Sequence, residues 1–193
     1  MSGGILEYNF REGYRSEYLA HYIFSSFGPA IPVAREDDFG LDLICNISKS
    51  DGKVQLVESS YGIQIKSIKT EFKFTKKEAI KWLFHLDFPL LFAEIDKTNL
   101  SIKIFSTWSL NWFLLRINSA EDSSWPSEIS FVPSNSEDFG SPDPDTGVIP
   151  IGKPILDFSL DDLTDNIKRE YFQNVLKEWI DLDKKITSPE KLA

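Results

Sequence analysis

Asp42 heads one apolar stretch, Gly40-Leu41-Asp42-Leu43-Ile44, and Gln64-Ile65-Lys66 sits in a second. Side chains two apart on a strand share a face, so Gln64 and Lys66 point one way while Ile63 and Ile65 point the other, into a core. The result is an acid, an amide and a lysine on an otherwise apolar hairpin. Burying a lysine head or a carboxylate without partners costs several kcal/mol, which leaves two readings of the trio: a mutual ion pair, or a working site. The chemistry open to a working site of this kind is that of a hard divalent cation on oxygen ligands, beside a lysine that orients a water and offsets anionic charge.

The elements around the trio must bring its members to one place. Ser50-Asp51-Gly52-Lys53 is a hairpin turn signal between two strands, the first running from Asp42 to Ile47. A two-residue turn at Asp51-Gly52 would set Asp42 opposite Tyr61, on the face of Ile63 and Ile65 and away from Gln64 and Lys66. A three-residue loop, or one bulge between Lys53 and Gly62, returns all three to a common face. The sequence therefore predicts an irregularity, with Ser59-Ser60 or Gly62 as its position. Upstream, Leu19, Tyr22, Ile23 and Phe27 recur at helical spacing, which predicts a helix from about Tyr14 to Phe27 stopped by Gly28-Pro29. Glu17 lies near the start of that helix, where an acid also favours the dipole, and His21 reads as a helix-surface or boundary histidine. A short strand around Ile31 to Ala34 and the acidic turn Glu36-Asp37-Asp38 follow.

Beyond the trio, Thr75-Lys76-Lys77-Glu78 has the pattern of a capping box, with Ala79, Ile80, Leu83 and Phe84 as the apolar face behind it. Leu90 to Ile95 and Leu100 to Phe105 read as two more strands, and Thr107 to Asn118 as an aromatic-rich helix or capping layer. Ser119 to Gly147 is poor in apolar residues and reads as a long loop or partly disordered insertion, with only Ile129 to Val132 resembling a strand. Its Asp143-Pro144-Asp145 lacks the glycine and distal glutamate of a calcium loop and reads as solvated. From about Asp165 to Lys185 an amphipathic helix closes the chain, its stripe of Ile167, Tyr171, Phe172, Val175, Leu176, Trp179 and Ile180 expected to cover the sheet. Three regions follow: a core over 10–118, a polar loop or insertion over 119–150, and a C-terminal segment over 151–193 with the helix packing on the core.

With 193 residues, 41% of them hydrophobic and 13% aromatic, the chain can bury one good core. No stretch approaches a membrane span, and the N-terminus lacks a secretory pattern, so the expected location is cytoplasmic. One cysteine, Cys45, lies in an apolar strand and reads as core, and two histidines make a zinc site a poor candidate. The net charge of −9 is unevenly spread. Residues 1–105 hold 13 Lys and Arg against 14 Asp and Glu, whereas residues 106–193 hold 8 against 16. Within the first part Lys66, Lys69, Lys73, Lys76, Lys77 and Lys81 face only Glu71 and Glu78. That basic strip reads either as a solvated surface or as a flank for a polyanion that begins at the trio.

Glu17, Asp42 and Gln64-Ile65-Lys66, carried by helix, strand and strand, resemble the PD-(D/E)xK restriction-endonuclease-like superfamily. Glu17-Tyr18-Leu19-Ala20, Glu36-Asp37-Asp38-Phe39-Gly40-Leu41-Asp42-Leu43 and Tyr61-Gly62-Ile63-Gln64-Ile65-Lys66-Ser67 are similar to a nuclease-related domain family close to its Mrr-type QxK branch. Gly152-Lys153-Pro154-Ile155 and the closing helix also resemble that family's tail. The resemblance implies an α/β fold with a mixed sheet, an αβββαβ core and a C-terminal helical extension. It implies a Mg²⁺- or Mn²⁺-dependent endonuclease acting on DNA, with RNA as an open alternative, in restriction or anti-phage defence. In that reading Asp42 is the principal metal ligand, the Ile65 carbonyl completes the inner shell, Glu17 binds through water, Gln64 offers its amide oxygen, and Lys66 orients or deprotonates the attacking water. Lys69, Lys73, Lys76, Lys77 and Lys81 would line the nucleic acid, and a homo-oligomer or protein partner would supply affinity that an acidic chain lacks. Gln in place of the commoner Glu removes one negative charge, so the metal would be held more weakly without substrate. The competing reading is a catalytically silent scaffold or nucleic-acid-binding subunit in which Asp42 and Lys66 form a structural ion pair.

Overall fold

The computed structural model describes residues 8–34, 40–51, 54–117, 126–134, 142–143 and 145–187. The acidic turn Glu36-Asp37-Asp38, the hairpin residues Gly52 and Lys53, and most of the polar stretch after Ile117 lie outside them. The chain runs as α1 (Tyr8–Ser25), β1 (Ala30–Pro32), β2 (Leu43–Asp51), β3 (Val54–Ser67), β4 (Phe72–Phe74), α2 (Lys77–Phe84), β5 (Leu90–Asp96), β6 (Ser101–Ser106), α3 (Trp108–Ile117), β7 (Ile129–Pro133), β8 (Val148–Gly152), β9 (Leu156–Ser159), a 3-10 turn and α4 (Asn166–Thr187).

Six strands form a mixed sheet in the order β1-β2-β3-β5-β6-β9, with only β3 and β5 parallel, and β4-β7-β8 form a second, three-stranded sheet. Strand alternation gives the large sheet two apolar faces. The odd-numbered Leu43, Cys45, Ile63, Ile65, Leu91 and Ala93 pack against Ala20, Ile23 and Phe24 of α1, Phe27 just beyond it, and Phe172, Leu176 and Ile180 of α4. Leu90, Phe92 and Phe105 face the other way, toward α2, α3 and the small sheet. There Phe92 stacks on Phe72 at 4.4 Å and meets Phe131 edge-on at 4.6 Å, so the small sheet is fastened by aromatic contact.

Several sequence expectations need correction. The stripe of α1 is Ala20, Ile23 and Phe24, continued by Phe27 beyond its end, whereas Tyr22 is 62% exposed, turned away from the core. In α4, Ile167 and Tyr171 are exposed, because they lie off the face on which Phe172, Leu176 and Ile180 recur every fourth residue against the sheet. The N-cap of α2 is Lys76 and makes no side-chain capping bond, so the Thr75-to-Glu78 capping box is not formed. β4, β8 and β9 were not expected at all, and β9 pairs with β6 and so carries the C-terminal segment into the main sheet. Cys45 is buried as expected, and burial pushes its thiol up to about 12.

Gly28 follows α1 in the turn to β1, where a Cβ would meet the Asn46 carbonyl oxygen at 2.0 Å. This closeness lets Pro29 O accept from Asn46 N and Phe27 O accept from Ser48 N, so the helix is tied to β2 by backbone hydrogen bonds. A second tie comes from α4, where the Gln173 Nε2 amide donates to Phe27 O and Ser48 O.

Candidate functional site

Hairpin parity is set by one bulge. The strands pair Asp51 with Val54 through Ser48 with Val57, then Ile47 with Ser59, so Glu58 is the extra residue. The pairing of Asp51 with Val54 thus runs one residue later than the expected hairpin, and the irregularity falls beside Ser59. Without it, Leu43 would lie opposite Gly62; with it, Leu43 pairs with Ile63 and both enter the α1 face.

β2 begins at Leu43, opposite Ile63, whereas β3 continues to Ser67 with β5 on its other side. Residues 64–67 of β3 are thus left with an open flank, and Asp42 sits at its corner. The Asp42 amide donates to Ile63 O at 2.9 Å, and its own carboxylate Oδ2 accepts the Ile65 N–H at 2.5 Å. A side chain has taken the place of a ladder bond where the partner strand ends. Gly62 makes room for the approach: a Cβ there would stand 2.5 Å from Leu41 Cδ2 and 2.8 Å from Phe88 Cε2. Leu41 packs over it and delivers the chain to Asp42.

α1 is locked beside this flank by Ser16, whose hydroxyl is 2.9 Å from that of Ser67, and by His21, whose Nε2 is 2.8 Å from Ala30 O and so carries the hydrogen. Lys97 Nζ also donates to Ser67 Oγ. Between α1 and the open flank lies a cavity of about 1040 Å³ whose walls include Glu17, Asp42, Ile65 and Lys66, with Tyr14, Tyr18, His21 and Lys97 around them. Four of the five residues expected from sequence to bind metal or catalyse therefore meet at one cavity. Gln64 is not among its lining residues: it is buried, paired in register with Phe92, and its Oε1 has no hydrogen-bond partner among the described residues.

The lining includes two acidic residues, Glu17 and Asp42, beside Ile65, and carboxylate and carbonyl oxygens are the donors a hard cation takes. They are few. Among the described residues no three His, Cys, Asp or Glu side chains gather as a metal cluster. A cation such as Mg²⁺, which keeps several waters and takes substrate phosphate oxygens, is the type that so sparse a set can hold.

Sequence reasoning missed Glu94. In the parallel β3/β5 register it is the lateral partner of Lys66; Lys103 of β6 follows it, and Asp157 of β9 follows that. Charges of alternating sign thus cross four strands, beginning at Lys66. The signal was the lone acid inside the apolar run Leu90 to Ile95. Glu94 Oε1 also accepts the Lys69 N–H, holding that residue at a positive φ of 68°. Of the remaining lysines, Lys73 is bridged to Glu71 at 2.8 Å and to Glu128 at 3.5 Å, whereas Lys76 and Lys77 are exposed and Lys81 is half-buried on α2. Asp143, read from sequence as solvated, is exposed and accepts the Asp145 N–H and the Thr146 hydroxyl within its own turn. Compared with known proteins, the chain matches no family model, no curated protein and no solved structure.

Proposed function

We propose that this chain is a metal-dependent nuclease that hydrolyses phosphodiester bonds at the cavity between α1 and the open flank of β3. The observation that carries the reading is the meeting of Glu17 of α1, Asp42 at the entry to β2, and Ile65 and Lys66 of β3 around one cavity. The order of helix, three strands, helix and strand over residues 8–96 supports membership of the restriction-endonuclease-like superfamily, with β4 as a short addition. Asp42, Glu17 and the Ile65 carbonyl would hold Mg²⁺, leaving the other positions to water and to the substrate phosphate. When bound, the ion would supply charge neutralisation at the phosphoryl oxygens and lower the pKa of a bound water. Lys66 orients that water and offsets charge that builds on the phosphate, a role for which its place at the cavity wall suits it. Gln64 is buried, and its amide oxygen has no partner among the described residues, an arrangement that natural interiors seldom leave without a use.

A specific observation also favours a silent scaffold. Asp42 already caps the Ile65 N–H, and Lys66 already has Glu94 beside it in register, so both could serve structure alone. The deciding experiment is plasmid nicking with Mg²⁺ or Mn²⁺ by the wild-type protein beside Lys66→Ala. Metal-dependent nicking that disappears in the variant supports the nuclease; no nicking by either protein favours the scaffold.

A further inference from the structure

We propose that the tyrosines of α1 are a stacking platform for unpaired bases, so that the substrate led to the cavity is single-stranded nucleic acid. The inference rests on the nuclease reading and adds the substrate class. Tyr14, Tyr18 and Tyr22 recur every fourth residue and so share one side of the helix. Tyr14 and Tyr18 line the cavity with Glu17, and their rings are stacked at 6.3 Å with 25° between planes. Tyr18 is 71% exposed and Tyr22 62%, while Ala20, Ile23 and Phe24 hold the helix to the sheet, so these rings are not needed by the core. A single exposed tyrosine needs no explanation, but a row that runs into a cavity bearing Lys66 and Lys97 does.

Spacing and charge choose the occupant. Neighbouring rings on the row are about one helical turn, or roughly 5–6 Å, apart along the axis. Duplex bases are already stacked at about 3.4 Å and present no free faces, whereas an extended single strand offers one face per nucleotide. The protein carries a net charge of −9, which opposes the dense phosphates of a duplex more than the sparser ones of a single strand. Stacking, with two lysines to receive the backbone, suits this chain better than broad phosphate neutralisation.

Fluorescence anisotropy with the full-length protein in EDTA, which prevents metal-dependent cleavage, tests the platform. The probes are a short labelled single-stranded DNA, the same strand as a duplex, and its RNA counterpart. Tyr18→Ala and Tyr22→Ala should each weaken single-strand binding about tenfold, and Tyr18→Phe should restore it, because the ring face and not the hydroxyl is used. The preference for single strand over duplex should collapse in the double alanine variant, with an unchanged melting temperature excluding misfolding. Loss on both DNA and RNA assigns the contact to the bases, and loss on one alone names the sugar that the site accepts. Undiminished affinity in the alanine variants, a wild-type preference for duplex, or no binding of any probe would each overturn the platform. A separate cleavage assay with Mg²⁺ distinguishes the two layers: ring-dependent binding without cleavage keeps the platform and removes the nuclease, and ring-independent cleavage lost in Asp42→Ala does the reverse.

Discussion

Asp42 does two jobs if the nuclease reading holds, and they can be separated. Its carboxylate completes the hydrogen bonding of the Ile65 N–H, which would otherwise be an unpaired donor, and in the nuclease reading it would also be a cation ligand. Asp42→Asn keeps an acceptor for that N–H and removes the charge, so it should fold like the wild type yet lose Mn²⁺ binding and cleavage together. Asp42→Ala removes both and should also cost about 1–3 kcal/mol of stability. Isothermal titration with Mn²⁺ and thermal melts check the pair; undiminished Mn²⁺ binding by Asp42→Asn would leave Asp42 a structural cap. Gln64→Glu is the complementary change. It places a carboxylate where an unpartnered amide oxygen now lies, and should keep cleavage and tighten Mn²⁺ binding if that oxygen reaches the ion. If it is only a core polar group, the charge is buried without compensation, and the readout is a lowered melting temperature with no tighter metal.

At the level of elements, the hairpin and the helices that flank the sheet make separate predictions. Gly62→Ala forces the ends of Leu41 and Phe88 aside, costing about 1–3 kcal/mol by overpacking, and because Leu41 precedes Asp42 it should weaken Mn²⁺ binding as well. A stability loss with unchanged metal affinity would detach the site from this packing. On α4, Asp183 is buried and accepts the Asn111 Nδ2–H of α3 at 2.6 Å, and burial raises its carboxyl to about 6. The folded state thus binds this proton more tightly than the unfolded chain, whose value is near 3.9. The favourable contribution is complete below that value and is lost as pH rises through about 6. Asp183→Asn should therefore stabilise the protein at pH 8 by roughly 1–3 kcal/mol, with the advantage gone by pH 4. Melts across that range check it, and an equal gain at both ends would rule out titration.

Which elements could be read beforehand follows from the same physics. β2, β3, β5 and β6 carry long apolar or alternating runs, and α1, α3 and α4 carry helical spacing, so local pattern sufficed. β4 and β9 have three and four residues, and β8 holds Pro150, which leaves too short or too broken a signal. Their pairing depends on contacts distant in the chain. In the site, Glu17, Asp42, Ile65 and Lys66 were legible because type and order sufficed; Glu94 and Lys97 were not, since only the β3/β5 register and the fold of the β5–β6 turn bring them close.

For the whole molecule, the question is how an acidic protein meets a polyanion. No helix among the described residues is long and apolar enough to cross a membrane. Most of the excess negative charge belongs to residues 106–193, so approach should favour the basic strip that runs from Lys66 to Lys81. The basic strip is not uniform there. Lys73 is already neutralised by Glu71 and Glu128, whereas Lys76 and Lys77 are exposed at the start of α2. If the strip flanks a nucleic-acid backbone, each phosphate neutralised contributes about −0.9 to the slope of log affinity against log salt on duplex DNA, and about −0.7 on single strands. Replacing Lys76 and Lys77 with Gln should then flatten the slope by roughly 2 units on duplex and slow cleavage at moderate salt. Lys73→Gln should lower affinity at low salt with a smaller change of slope, since it leaves Glu71 and Glu128 uncompensated rather than freeing a phosphate contact. Melting temperatures should hardly move, because exposed charges contribute little to stability. Lys66→Ala should do the opposite, removing cleavage and keeping most binding. Anisotropy across a salt series with labelled duplex and single strand measures all four proteins; an unchanged slope for the Lys76 and Lys77 variant returns the strip to ordinary solvated surface, and the nucleic acid must then be held by the tyrosine row and the cavity lysines alone.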